Sequence, residues 1–312
     1  MMKMTIIMPF LNEELETVNT IKSIYDTAPK DSFEIIAIDD GSDKFDPSVF
    51  NPYPDVIYKR NSKRIGVDGS RQMGIEMAKT DNILIIDAHM RFKNDKWMET
   101  MLAYLILEPE TLWCTTCLGL GYGTMDLNQH KGAYYGADML FVDSNAKPDR
   151  PAREVLESKW ASKKSDNDYE IPCVLGANYF MTKKWADYIW GLKGLKMWGT
   201  SEPFLSIKTW MAGGKCKITT DIEIGHKFRS NAPYTTGISY LVYNKIFMCK
   251  TIFPNELADK LIGYLPKDVN YKKAMELIED NKTEIEEAKD YYQIIFTSSI
   301  YDYCNRFDIK IP

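Results

Sequence analysis

Over its first third the chain alternates short apolar runs with segments of helical period. Thr5-Ile6-Ile7-Met8-Pro9 is an apolar run closed by a proline, which has no amide donor to continue a ladder. Glu14 to Tyr25 carries apolar residues at 15, 18, 21 and 24, a spacing that predicts an amphipathic helix. Phe33 to Ile38 predicts a second strand, broken by the turn Asp39-Asp40-Gly41-Ser42, and Val56-Ile57-Tyr58 a short third. Asp68 to Lys79 predicts a helix with Asp68 as N-cap and Met73, Met77 and Ala78 facing inward. Ile83-Leu84-Ile85-Ile86 then forms an unbroken apolar run, as expected of a strand buried on both faces of a parallel sheet. Such alternation implies right-handed crossovers and an α/β fold, with a mainly parallel sheet flanked by helices.

The pattern continues less regularly. Trp97 to Leu107 predicts a helix and Trp113 to Leu118 a strand. Gly119 to Arg150 is Gly-, Tyr- and Asp-rich without clear period, and is expected to be a long functional loop. Ile171 to Met181 predicts a strand in which Gly176 permits a close backbone approach. A short helix over 182–190 is expected, capped by Thr182, then another from about Pro203 that stops at Gly213-Gly214. Lys215 to Ile218 and Ile222 to Ile224 predict two last strands. From Pro254 the sequence becomes helical, with charges clustered between Glu276 and Lys289. The expected division is an α/β domain over 1–235 and a mostly helical extension over 236–312.

Polar residues concentrate where the predicted strands end, and open α/β sheets bind ligands at that edge. Asp87 and His89 follow the buried strand with one residue between them, so in extended chain they face the same way. A carboxylate and an imidazole together suit Mn²⁺, with Mg²⁺ second. A third ligand is expected, and the chain has only 3 histidines. His226 follows the strand Ile222 to Ile224, whereas His130 lies in the irregular loop and is the weaker candidate. Asp39 or Asp40 could accept from a base N–H or ribose hydroxyls, although an Asp-Gly turn often satisfies its own backbone. Arg64, Ser70 and Arg71 surround a helix entry, a place that favours phosphate oxygens. Glu202, on a turn before a helix, could be a general base or orient a sugar, and Trp198 offers a sugar ring an apolar face. The bland alternatives are a helix-dipole carboxylate and a core tryptophan.

Composition narrows the classes. The 312 residues are 45% hydrophobic, enough for a sizeable core, and the net charge of −5 argues against a general nucleic-acid binder. The 6 cysteines are scattered, and Cys114-x-x-Cys117 lacks the second pair of a zinc site, so buried reduced thiols are expected. No secretory leader or apolar run of membrane-spanning length is apparent.

The ordered motifs Pro9-Phe10-x-Asn12-Glu13, Ile38-Asp39-Asp40-Gly41-Ser42, Arg64-x-Gly66-x-x-x-Ser70-Arg71, Asp87-Ala88-His89, Trp198-Gly199-x-x-Glu202, Trp210-x-x-Gly213-Gly214 and Gly225-His226-x-Phe228-Arg229 resemble those of GT-A fold glycosyltransferases. Over about residues 5 to 235 the chain resembles family 2 and, more closely, the catalytic domain of polypeptide N-acetylgalactosaminyltransferases. The resemblance implies a UDP-sugar donor and a Mn²⁺ (or Mg²⁺) ion held by Asp87, His89 and His226. It implies that Phe10, Asn12, Asp39 or Asp40, and Arg71 contact the uridine diphosphate, and Pro9, Glu13, Arg64 and Ser70 are further candidate substrate-binding residues beside them. Trp198, Gly199 and Glu202 would border the sugar and acceptor, with Glu202 as the catalytic candidate. The family motif expected at that last place is Trp-Gly-Gly-Glu-Asn; here one residue is inserted, Thr200-Ser201 precede Glu202, and Pro203 follows. No lectin domain, membrane anchor or disulfide set is apparent, so the expectation is a cytoplasmic enzyme of bacterial or phage origin. Its acceptor could be a glycan, a protein or a modified nucleobase. The rival expectations are a nucleotidyltransferase and a non-catalytic sugar-nucleotide or glycan-binding protein.

Overall fold

Alternation of apolar runs and amphipathic segments builds a mixed α/β sheet. The structure, a computed structural model, describes residues 3–121, 126–142, 155–164, 169–229 and 237–312. The strands are β1 (Met4–Phe10), β2 (Phe33–Asp39), β3 (Val56–Arg60), β4 (Asn82–Ile86), β5 (Met90–Phe92), β6 (Thr111–Leu120), β7 (Ala133–Tyr134), β8 (Ala137–Val142), β9 (Val155–Trp160), β10 (Asn178–Thr182) and β11 (Lys215–Lys227). The helices are α1 (Glu14–Thr27), α2 (Gly66–Met77), α3 (Trp97–Leu107), α4 (Lys183–Tyr188), α5 (Ser201–Met211), α6 (Ile238–Ile252), α7 (Asn255–Tyr264), α8 (Val269–Asp280), α9 (Lys282–Ile295) and α10 (Ile300–Arg306).

The main sheet has the order β3-β2-β1-β4-β10-β6-β11-β5, with β7 on the edge of β6. Its β3-β2-β1-β4 half is parallel, as the alternation predicts. Beyond it β10 inserts antiparallel between β4 and β6, so the sheet is mixed. Every residue of β4 is buried, because strands pair with it on both edges and apolar side chains cover both faces. Its end therefore delivers Asp87 to the middle of the sheet's carboxyl edge.

Several elements differ from expectation for identifiable reasons. Helix α2 begins at Gly66, so Asp68 is not its N-cap but a buried first-turn residue. Gly66 has φ +83 and lies against the Met197 backbone, where an added Cβ would stand 2.0 Å from the Met197 Cα. Only glycine lets the two segments meet there. The inward face of α2 is Ser70, Arg71, Gly74 and Ile75, joined by Ala78 just past its end, while Met73 and Met77 are half-buried. Gly74 sets this face, since a Cβ there would lie 2.2 Å from Ile7 of β1.

The Ile171 to Met181 segment pairs as a strand only over β10. Its Gly176 makes the expected close approach, to the Glu202 carboxylate, and gives its carbonyl to Arg71 at 3.0 Å. The two short final strands are one strand, β11, irregular between Thr219 and Glu223. The expected long loop contains β7 and β8, and β8 pairs with β9 in a separate ribbon. Residues 122–125 and 143–150 of that loop lie outside the described residues.

Helicity resumes at α6, earlier than Pro254. Helix α6 buttresses the segment that carries Trp198. Phe247 packs where a Cβ on Gly194 would collide, Leu241 does the same at Gly199, and the Asn244 amide donates to the Lys196 and Gly199 carbonyls at 2.9 and 2.8 Å. All six cysteines are buried and unpaired. Among the described residues no helix is long and apolar enough to cross a membrane.

Candidate active site

Three strand ends bring one carboxylate and two imidazoles together. Asp87 leaves β4, His89 precedes β5, and His226 lies in β11 paired opposite Met90. This pairing draws a residue 137 positions downstream onto the Asp87-x-His89 pair. The two Nε2 atoms stand 3.1 Å apart, and the Asp87 Oδ2 lies 3.4 Å from that of His226 and 3.9 Å from that of His89. All three ligand atoms fall within 4.8 Å of one another.

The donor set fits a divalent cation. Burial depresses the pKa of both imidazoles, so both are held neutral, the form that ligates metals. Burial also pushes the Asp87 carboxyl up, but contact with His226 and the Arg71 charge outweigh that and bring it down to about 2. Glu13 accepts a hydrogen bond from His89 Nδ1 at 3.1 Å, which leaves the His89 Nε2 lone pair facing Asp87 and His226. The buried His226 Nδ1 has no hydrogen-bond partner among the described residues, and its Nε2 faces the Asp87 carboxylate and the His89 Nε2. Two imidazoles beside a carboxylate favour Mn²⁺ over the all-oxygen preference of Mg²⁺.

Glu13 thus orients a candidate ligand of the triad, and its other oxygen pairs with Arg229. Glu13→Gln is expected to weaken Mn²⁺ binding about 10–100-fold, as losses behind a ligating histidine do. A calorimetric Mn²⁺ titration reads this directly, and an unchanged affinity would remove Glu13 from the metal centre.

Two cavities meet at the triad and share Val67, Asp87, His89, Trp198 and Arg229. The smaller, about 50 Å³, is bordered by Pro9, Phe10, Glu13, Asp40 and Arg64. The larger, about 300 Å³, is bordered by Arg71, Gly199, Glu202, His226, Glu157 and Trp160. Asn12, Asp39 and Ser70 stand outside both walls. Asn12 clasps Asp43 through Nδ2 at 3.2 Å and through the Asp43 amide at 2.9 Å. Asp39 accepts from the Ser42 amide, the Tyr58 hydroxyl and Arg60. The Ser70 hydroxyl lies between Asn61 and Asp40. Asp40, although in the wall, accepts from the Ile65 and Gly66 amides at 2.8 Å each and thereby anchors the α2 entry.

Arg71 links two of the site's carboxylates, Asp87 and Glu202. Its side chain is 5% exposed and donates at 3.0 Å to Asp87, to Glu202 and to the Gly176 carbonyl. Beneath it the fully buried Asp68 accepts from the Ser201 hydroxyl, and burial pushes its carboxyl up to about 8.

Sequence reasoning did not single out Glu157, Trp160, Met197 or Arg229 as site residues. Arg229 was within a quoted motif, three residues past a proposed ligand. Glu157 and Trp160 belong to β9, a strand half apolar and half polar with no periodic pattern, and Lys245 of α6 holds Glu157 at 3.0 Å.

Comparison with known proteins places this architecture among glycosyltransferases of the GT-A fold. Residues 5–167 match the family described as Glycosyl transferase family 2, and the chain belongs to that family. It is 24% identical to polypeptide N-acetylgalactosaminyltransferase 10 of Homo sapiens, over 84% of this chain and 44% of that protein. It is 26% identical to putative polypeptide N-acetylgalactosaminyltransferase 9 of Drosophila melanogaster, over 78% of this chain and 38% of that one. The chain thus spans less than half the length of these curated relatives. Among solved structures, GalNAc-T7 with UDP, GalNAc and Mn²⁺ superposes with a TM-score of 0.72 at 19% identity, covering 98% of this chain and 57% of that one. S. aureus TarS 1-349 in complex with UDP-GlcNAc gives 0.55 at 11% identity, covering 94% and 82%. These likenesses show the GT-A fold.

Proposed function

We propose that the chain is a divalent-metal-dependent glycosyltransferase that moves a hexosyl or N-acetylhexosaminyl group from a UDP-sugar to an acceptor hydroxyl. The observation that carries this reading is the position of Asp87, His89 and His226 at the junction of the two cavities. A structural neighbour solved with UDP, GalNAc and Mn²⁺ supports it.

In this reading the smaller cavity takes the nucleotide, with Phe10 and Pro9 against the base and Asp40 and Arg64 at its polar rim. Asn12, Asp39 and Ser70 shape that rim through the turns they hold. A bound Mn²⁺ neutralises diphosphate charge and so makes the UDP a better leaving group. Asp87, His89 and His226 would hold it, and Glu13 keeps His89 in the ligating tautomer. The larger cavity takes the sugar and the acceptor. Trp198 and Gly199 form its floor, and Glu202, fixed by Arg71, orients a hydroxyl there.

A panel of UDP-glucose, UDP-N-acetylglucosamine and UDP-N-acetylgalactosamine, scored for UDP release with and without Mn²⁺, tests the proposal. The expected result is Mn²⁺-dependent release from one donor, accelerated by glycan or peptide acceptors. Binding without release would indicate a non-catalytic nucleotide-sugar module, and pyrophosphate release from a nucleoside triphosphate would indicate a nucleotidyltransferase.

A further inference from the structure

Thr200 occupies the N-cap of α5 in a conformation that wastes its usual role. A threonine at this position normally sits in extended backbone and accepts from an amide of the first turn. Thr200 has φ +75 and ψ 4, and its side chain makes no capping hydrogen bond. Left-handed backbone is a genuine outlier for a β-branched residue, whose Cβ crowds its own carbonyl there.

The hydroxyl is not consumed elsewhere. Thr200 is 8% exposed, and its Oγ1 has no hydrogen-bond partner among the described residues. The adjacent Ser201 hydroxyl, by contrast, is committed to Asp68. Thr200 lines the larger cavity, one residue past Gly199 and two past Trp198, which borders both cavities. Glycine would relieve the backbone here at no steric cost. A strained residue with an unsatisfied polar group persists where the site uses it.

We propose that Thr200 is a specificity-determining contact for the transferred sugar, its hydroxyl completing a hydrogen bond with a ring hydroxyl or acylamino group of the donor. This rests on the reading of the larger cavity as the sugar site. A sugar carried beyond the diphosphate at the triad enters the larger cavity beside Trp198, where Thr200 stands.

The test compares UDP with UDP-glucose, UDP-N-acetylglucosamine and UDP-N-acetylgalactosamine, each titrated calorimetrically with Mn²⁺ into the full chain. The measured quantity is how much more tightly the preferred UDP-sugar binds than UDP. Thr200→Val removes the hydroxyl and keeps the shape; Thr200→Gly removes it and relieves the backbone; Thr200→Ser keeps it. The expected result is that Val and Gly lose about tenfold of the sugar's advantage while Ser retains it, with UDP affinity unchanged in all three. Thr200→Gly should also melt no lower than the parent, a combination that a purely structural threonine would not give. The proposal falls if Val and Gly keep the sugar's advantage, or if they lose UDP binding to the same degree. Absence of Mn²⁺-dependent UDP binding by the unmodified chain removes the reading of the site itself, and this proposal with it.

Discussion

Asp87→Ala and His89→Ala are each expected to lose Mn²⁺-dependent turnover by about a thousandfold or more while remaining folded. A metal that stabilises departing diphosphate charge supplies several kcal/mol, and each ~1.4 kcal/mol is tenfold in rate. The fold should survive because neither side chain belongs to the apolar core. Asp87 is 25% exposed, and removing it still leaves Arg71 paired with Glu202 and the Gly176 carbonyl. His89→Ala gives up the contacts with Glu13, Asp87 and His226, and Glu13 keeps Arg229. UDP-release kinetics and circular dichroism of the two variants check both halves. Full activity in both would remove the metal assignment.

Arg71→Met should behave differently, losing stability as well as activity. The guanidinium is buried between Asp87 and Glu202, with 5% exposure, and no other cation bridges the two in the described residues. Removing it strands two part-buried carboxylates near the buried Asp68. Breaking a buried pair this way costs about 3–5 kcal/mol, far more than a surface ion pair contributes. Glu202 loses its anchor as well, and displacement of a substrate-orienting group by about 1 Å costs about a hundredfold in rate. Chemical denaturation and steady-state kinetics measure the two losses separately. A variant as stable as the parent would show that Arg71 is not the tie between these groups.

The two sets of variants probe different halves of the same site. The triad variants delete proposed ligands and spare the frame. The arginine variant spares the ligands and loosens the frame that sets one of them.

Much of this arrangement was legible along the chain because the carriers are local. The four-residue run Ile83 to Ile86 announces a strand buried on both faces, and the polar residues at its end follow directly. The expectation that Asp87 and His89 share one side of extended chain misses the local geometry, since the chain turns at Ala88 and His89, yet their closeness in sequence still brings them together. Thr182 as a cap was readable for the same reason, and its hydroxyl accepts from the Trp185 amide at 3.1 Å. Asp68 was misread because a local rule favours aspartate at a helix start, and a distant segment overrode it. The Met197 backbone presses on Gly66, so the helix starts two residues earlier and Asp68 turns inward.

Hydrophobic period and turn chemistry, then, determined by themselves the parallel half of the sheet, the position of Asp87 and His89, and the helical nature of the C-terminal segment. Tertiary structure alone decided that β10 runs antiparallel beside β4, that β11 delivers His226 to the pair, and that Arg71 joins Asp87 to Glu202. Each of those depends on strand order and side-chain reach between segments far apart in sequence, and local propensity carries no record of which distant edge a strand will pair with.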